Sequence, residues 1–305
     1  MTLTIYSDIS SDLERLIRRA APLTFGVLGT IGAGDSLETR AGGSGVFISP
    51  FLGLTARHVS LDLLRLEGRE SRPRVKTFLT QHAVGLFQVL DPFNKQSERA
   101  LWHVDRSWNS RDTDLTLLQA SAEDETTDRI QQRQWPTRFF DLQLLPPPRG
   151  ARIVAMGFPQ LGAAAAGGAQ ITVDAPFTVK EGEVTKIYQI RADLGMLNFP
   201  CFEVDIHFDH GFSGGPVFYE GRLCGLVSHS SSFDARSTCA TLWPLALARM
   251  DNEFGAEWTI ADMLNNGSLC SVDWLQVKDR ISLREDEHGR HAFLENAGES
   301  DIRGD

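Results

Sequence analysis

The chain has 305 residues with 30 basic and 40 acidic side chains, a formal net charge of −10. Hydrophobic residues at 42% and charged residues at 23% are the balance of a globular chain, and this length allows two hydrophobic cores, which excludes a fibrous or low-complexity protein. The acidity gathers at the end, where residues 251–305 hold 13 acidic and 5 basic side chains, a balance of −8; a nucleic-acid partner would demand a basic stripe instead and is not expected.

The opening residues, Met1 to Asp8, carry neither a basic start nor an apolar stretch, so no export signal and no membrane span is expected, and the expected location is the cytoplasm. Residues 8–20 place Leu13, Leu16 and Ile17 on one face behind Ser10 or Ser11, the pattern of a short capped amphipathic helix. From Thr24 to about Ala120 the chain breaks into short runs rich in Val, Leu, Phe and Thr, the clearest at 24–31, 44–49, 53–56, 84–90 and 115–119, as strands of an all-β domain would read. Residues 121–150 are charged and Gln-rich and end in Pro146-Pro147-Pro148, which cannot donate ladder hydrogen bonds and suits a connector.

Strand-like runs resume at 152–156, 182–190, 201–208, 216–219, 223–229 and 239–243, and the small-residue stretch 161–170 reads as a loop. After Pro244 the pattern turns helical near 245–250 and 258–264, followed by a hairpin turning near His288-Gly289, with a disordered end beyond about Asn296. The resulting division is a helical segment at 1–22, a first β-domain at 23–122, a connector at 123–150, a second β-domain at 151–245 and an acidic extension at 246–305, the last read as a solvating tail. Cys201, Cys224, Cys239 and Cys270 form no CxxC pair, so free thiols are expected rather than zinc ligands.

The stretch Gly211-Phe212-Ser213-Gly214-Gly215-Pro216 lies between two strand-like runs. Glycine at 211 lets the backbone bend so that its N–H and that of Ser213 can face one oxygen, an oxyanion hole in outline. A serine hydroxyl is a weak nucleophile and needs a base. His58, at the end of the run Leu54-Thr55-Ala56-Arg57, is the candidate base, and Asp114, opening the strand-like Leu115–Gln119 stretch, is the candidate carboxylate to orient it. Asp112, two residues away, is the competing carboxylate. The remaining histidines show no HExxH or similar spacing, so neither metal nor other cofactor is expected.

Four motifs, Gly43-Ser44-Gly45-Val46-Phe47-Ile48, Thr55-Ala56-Arg57-His58, Asp114-Leu115-Thr116-Leu117-Leu118 and Gly211-Phe212-Ser213-Gly214-Gly215-Pro216, occur in the order His, Asp, Ser. In these the chain resembles the chymotrypsin-fold, trypsin-like serine proteases over roughly residues 23–245, an order distinct from subtilisins and α/β-hydrolases. Gly157-Phe158-Pro159, Thr178-Val179-Lys180-Glu181-Gly182-Glu183-Val184 and Asp205 are similar to the bacterial HtrA-like branch. The resemblance implies two six-stranded antiparallel β-barrels, with the helix before them and an α/β extension after them.

It also implies a serine endopeptidase with His58, Asp114 and Ser213 as triad, Gly211 and Ser213 as oxyanion donors, and protein or peptide substrates. Two departures stand out: no PDZ-type domain fits in residues 251–305, and Arg57 replaces the small residue usual before the histidine. Phe212 stands where trypsin-like zymogens place the aspartate that captures a newly cut N-terminal amine, so activation by N-terminal insertion is not expected. By the same resemblance the strand Leu226-Val227-Ser228-His229-Ser230 pairs with the substrate backbone, with Ser228 making the contact. His207 then falls at the base of the primary specificity pocket and Ser230 on its wall. The implied role is a cytoplasmic regulatory protease of bacterial stress or antiviral defence, acting on a specific protein substrate, with room for a regulatory partner. The competing readings are a catalytically inactive peptide-binding module of this fold and an acyl-ester hydrolase.

Overall fold

The computed structural model describes residues 3–5, 10–31, 38–65, 82–89, 93, 99–110, 112–122, 138–165, 171–174, 176–192, 197–230, 235–251, 257–286 and 289–295. The expected turn at His288 and the end beyond Asn296 lie outside them. Among the described residues no helix is long and apolar enough to cross a membrane.

Strand β1 (Leu3–Ile5), which the composition does not announce, precedes helix α1 (Ser11–Ala20). The Ser10 hydroxyl accepts from the Leu13 N–H at 3.1 Å, capping α1, whose apolar stripe buries Leu13, Ile17 and Ala20. The first barrel then runs through β2 (Thr24–Ile31), β3 (Glu38–Ser49), β4 (Leu52–Ala56), β5 (His82–Val89), β6 (Arg99–Asn109) and β7 (Leu115–Ala122). It closes in the order β2-β3-β4-β7-β6-β5. Register shifts at Val27/Leu28, Phe47/Ser49 and Val104/Arg106 supply the bends that closure requires. Phe25, Phe47 and Trp102 fill the interior, with Phe47 4.8 Å from Phe25 and 4.9 Å from Trp102 between ring centroids. Between β4 and β5 a helix, α2 (Arg57–Arg65), leaves the barrel wall directly at the candidate histidine.

The second barrel is built from β8 (Arg152–Gly157), β11 (Phe177–Tyr188), β12 (Cys201–Val204), β13 (Pro216–Tyr219), β14 (Arg222–Ser230) and β15 (Ser237–Thr241). These six form a ring, β11-β12-β15-β14-β13-β8, closed by pairing of β8 with β11. The architecture is therefore two closed six-stranded antiparallel barrels, the chymotrypsin-like fold. β1 lies outside the ring, running parallel to β11 with Leu3 opposite Phe177 and Ile5 opposite Val179.

Three local expectations are corrected. Within the small-residue stretch Gly162–Ala165 forms a strand, β9, paired antiparallel with β10 (Ile171–Asp174), rather than a bare loop; Ala and Gly have weak strand preference, and pairing with Ile171–Asp174 supplies what propensity lacks. The run expected over 201–208 stays in the ladder only to Val204. The segment after Pro244 is a short 3-10 turn, Trp243–Leu247, followed by β16 (Arg249–Asp251) paired with β17 (Glu257–Thr259).

The acidic extension is also more than a solvating tail. Helices α3 (Ile260–Asn265) and α4 (Trp274–Val277) and the hairpin β18 (Ile281–Asp286) with β19 (Gly289–Leu294) bury Ile260, Leu264, Leu269, Val277, Ala292 and Leu294 in the core cluster that also holds the first-barrel interior. The described Asp, Glu, Lys and Arg side chains of this extension are exposed or half-exposed, except Asp273, which is buried.

Candidate active site

His58 is the second residue of α2, and Asp114 immediately precedes β7. The β4–β7 ladder sets Ala56 opposite Leu115, and this pairing brings two residues far apart in the chain to one end of the first barrel. The Arg57 N–H donates to the Asp114 carbonyl at 3.2 Å and the His58 N–H to Asp114 Oδ1 at 3.0 Å. Asp114 Oδ2 lies 2.9 Å from His58 Nδ1. A carboxylate acceptor there keeps a proton on Nδ1 and leaves Nε2 as the acceptor. Asp114, not Asp112, holds the imidazole; the Asp112 N–H is turned to Ser110 Oγ.

Burial lowers the pKa of His58, but the hydrogen bond and charge of Asp114, with a smaller contribution from Asp62, outweigh it and raise the pKa above the ordinary 6.5. Asp114 itself is buried and accepts a further bond, 2.5 Å from the Ser228 hydroxyl. Ser228 can reach it because the β14–β15 register shifts between Val227 and His229, leaving Ser228 as the extra residue of a bulge with its side chain free to turn. This support for Asp114 has no local signature in the sequence.

Ser213 lies in the loop from β12 to β13, at the seam of the barrels. Its hydroxyl donates to the Ser228 carbonyl at 3.4 Å; among the described residues no hydrogen bond joins it to His58. The three groups are thus linked in series through Ser228 rather than by a direct serine–histidine bond. Gly211 has φ +97° and follows His210 in a turn closed by the Phe212 N–H on the Asp209 carbonyl at 3.1 Å. Positive φ at the third position makes this a type II turn, open to glycine at little cost. Gly214, at φ +82°, is equally constrained, since a Cβ there would run into the Ser44 carbonyl and Thr55 Oγ1. Among the described residues neither the Gly211 N–H nor the Ser213 N–H meets an acceptor.

The other expected binding residues sit around this loop. The His207 side chain is exposed, while its carbonyl accepts from Lys180 Nζ at 2.8 Å. Ser230 Oγ lies 2.9 Å from Ser237 Oγ, which in turn accepts from the Phe208 N–H at 3.2 Å, so a pair of hydroxyls spans from β14 and β15 to the 207–212 loop. His229 is half-buried beside them. Sequence reasoning missed Lys180, whose mostly buried ammonium also pairs with Asp209 Oδ2 at 2.8 Å and lies 5.4 Å from the centre of the Phe212 ring. Phe212, fully buried against Phe208 with ring centroids 5.2 Å apart, fills the space behind the loop. Among the described residues no cluster of three or more His, Cys, Asp or Glu could hold a metal ion. No disulfide joins the four cysteines, and burial pushes the Cys224 and Cys239 thiols far up.

Two antiparallel barrels with a histidine–carboxylate pair facing a serine loop across their seam define a chymotrypsin-like hydrolase fold. The chain belongs to the trypsin-like peptidase domain family, whose model matches residues 43–226, more than half of its length; it is a trypsin-like serine endopeptidase. The Rv3671c protease from M. tuberculosis is similar in fold in its active form, with 16% identity, 79% of this chain and 85% of that chain covered, and a TM-score of 0.46. The inactive form of that protease gives 15% identity, 78% and 92% coverage, and a TM-score of 0.44. No curated protein sequence matches the chain.

Proposed function

We propose that Ser213, His58 and Asp114 form the catalytic triad of this peptidase, with the Gly211 and Ser213 N–H groups as its oxyanion hole. The observation that carries the assignment is the doubly bonded His58–Asp114 pair set opposite Ser213, whose own N–H and that of Gly211 meet no acceptor among the described residues. A peptide pairing with β14 offers an N–H to the Ser228 carbonyl, the acceptor that Ser213 Oγ now holds. Losing that acceptor, the hydroxyl turns about χ1 toward His58 Nε2, which takes its proton as Oγ attacks the scissile carbonyl. The imidazolium so formed is stabilised by Asp114, and the developing oxyanion by the two N–H groups. His58 then returns the proton to the leaving amine, and a water repeats the sequence on the acyl-enzyme.

The same proposal covers a cytoplasmic regulatory role on a specific protein substrate, as in bacterial stress or antiviral defence, with His207, Ser228, His229 and Ser230 contacting the substrate and with a regulatory partner. Cleavage of a peptide library should vanish with Ser213→Ala while folding is retained, leaving only residual rate about 10³–10⁴-fold above water. A fluorophosphonate should label the parent chain at Ser213. Unlabelled Ser213 with peptide still bound would mark an inactive binding module, and ester turnover without peptide turnover an esterase. Comparing protein fragments in cells carrying the parent and the Ser213→Ala chain tests the regulatory role; the absence of any Ser213-dependent fragment would end it.

A further inference from the structure

The loop that presents Ser213 shows an unusual division between its acceptors and donors. Every carbonyl from 209 to 213 is engaged: Asp209 by the Phe212 N–H at 3.1 Å, His210 by the Gln160 N–H at 2.9 Å, Gly211 by Ser44 Oγ at 2.7 Å, Phe212 by the Gly215 N–H at 2.7 Å and Ser213 by the Ser44 N–H at 2.7 Å. A planar trans peptide points its N–H away from its carbonyl. Fixing the His210 and Phe212 carbonyls therefore aims the Gly211 and Ser213 N–H groups to the opposite side, where they meet no acceptor among the described residues. Buried backbone donors are nearly always paired, and two unpaired ones on adjacent turns define a place prepared for an anion.

Four of the five anchors are backbone N–H groups that any residue could supply. The fifth is a side chain. Ser44, in β3 of the first barrel, is fully buried; its hydroxyl accepts from the Phe158 N–H at 2.9 Å, which directs its own proton to the Gly211 carbonyl. Its carbonyl is held in turn by Thr55 Oγ1 at 2.6 Å. Gly211 has no side chain to restrain it and sits at positive φ, so its two flanking peptides are held only through their own bonds, and the Ser44 hydroxyl adds to the Gln160 N–H on the His210 carbonyl and the Phe212 N–H on the Asp209 carbonyl.

We propose that Ser44 is a positioning residue that holds the oxyanion hole in its anion-binding form from across the barrel seam, a role that rests on the peptidase reading above. Ser44 touches no reacting atom; it acts through Gly211. Removing its hydroxyl frees the Gly211 carbonyl and orphans the Phe158 N–H, and the loop then samples turns in which the Gly211 N–H no longer faces the scissile oxygen. Ground-state peptide binding along β14 is untouched.

Steady-state kinetics of S44A against the parent chain test this. The expected result is a kcat lower by about 10–100-fold, part of the loss seen when an oxyanion donor is removed outright, with KM within about twofold. Affinity for a peptidyl boronate, whose tetrahedral adduct fills the hole, should fall in parallel, whereas peptide affinity measured in the Ser213→Ala background should not change on adding S44A. The pH at which His58 titrates in the kcat profile should also stay in place. S44C, with a weaker donor of similar size, should lie between S44A and the parent. A folded S44A with parental kcat, or one whose loss is confined to KM, overturns the proposal; if thermal melting shows S44A unfolded, parental kcat in S44C overturns it instead. A parent chain without Ser213-dependent hydrolysis would overturn the underlying peptidase assignment, a failure visible before Ser44 is altered.

Discussion

At the scale of single residues, the chemistry depends on opposing influences at His58. Burial favours the neutral ring, while the bond to Asp114 and its charge favour the imidazolium and prevail, so the folded pKa lies above 6.5. In the proposed mechanism His58 must be neutral to accept the Ser213 proton, and kcat/KM should therefore rise with pH through a midpoint above 6.5. Because folding raises this pKa, the stability it contributes is full below pH 6.5 and fades as pH climbs through the folded value. Asp114→Asn removes both of Asp114's raising influences and leaves the lowering effect of burial, so the midpoint should move down. It should also cost about 10³–10⁴-fold in kcat, since an amide NH₂ facing Nδ1 would select the wrong tautomer. A pH–rate profile of the variant measures both effects, and a midpoint at or above the parent's would contradict this account. The contact of Asp114 with His58 is anticipated in sequence because each residue of the proposed triad sits in a short motif. Ser228 on Asp114 is not: a bulge in the other barrel decides it, and no local pattern encodes a register shift.

At the scale of elements, strands with clean boundaries were readable, as at Thr24–Ile31 and Pro216–Tyr219. β6 carried a usable signal that charged residues obscure: Ala100, Trp102 and Val104 are buried while Leu101, His103 and Asp105 between them are exposed, a period of two. Helix α2 and strand β1 were hidden for opposite reasons. Arg57–Arg65 begins where a strand ends, and three-residue Leu3–Ile5 gains its hydrogen bonds only from a distant partner in β11. β11 also delivers Lys180 to the back of the loop that carries Ser213, where its ammonium ties the His207 carbonyl and Asp209 Oδ2. A mostly buried ammonium with two charge-assisted or polar acceptors holds a loop more firmly than an exposed ion pair would. Lys180→Met keeps the stem but drops both bonds, so the 207–210 segment should loosen and kcat should fall about 3–30-fold, with Lys180→Arg restoring part of it. Equal kcat in all three chains would show that the tether is dispensable.

At the scale of the whole molecule, the two barrels do not stand alone on the connector between them. The described part of that connector, residues 138–150, is held between the second barrel and the acidic extension: the Gln143 N–H donates to the Leu223 carbonyl at 2.8 Å, and the Leu142 N–H to the Cys270 carbonyl at 2.8 Å. One side chain fastens this layer. Asp273, buried at 6% exposure, accepts from the Leu144 N–H at 2.9 Å, the Leu145 N–H at 2.8 Å and the Ser271 hydroxyl at 2.8 Å. A net-charge reading treats Asp273 as one more acid in a solvating tail, because composition cannot distinguish a carboxylate facing water from one bridging two segments. Asp273→Ala would leave the Leu144 N–H buried without an acceptor and should cost about 1–3 kcal/mol of stability. In urea the unfolding midpoint should fall with little change in slope, since the same surface is still exposed on unfolding. Asp273→Asn, which keeps one acceptor oxygen, should cost less. None of these bonds touches Ser213, His58 or the loop around Gly211, so kcat measured well below the unfolding transition should match the parent's. An unchanged midpoint would mean that the extension's apolar contacts, through Ile260, Leu264 and Val277, suffice to hold the connector without the carboxylate.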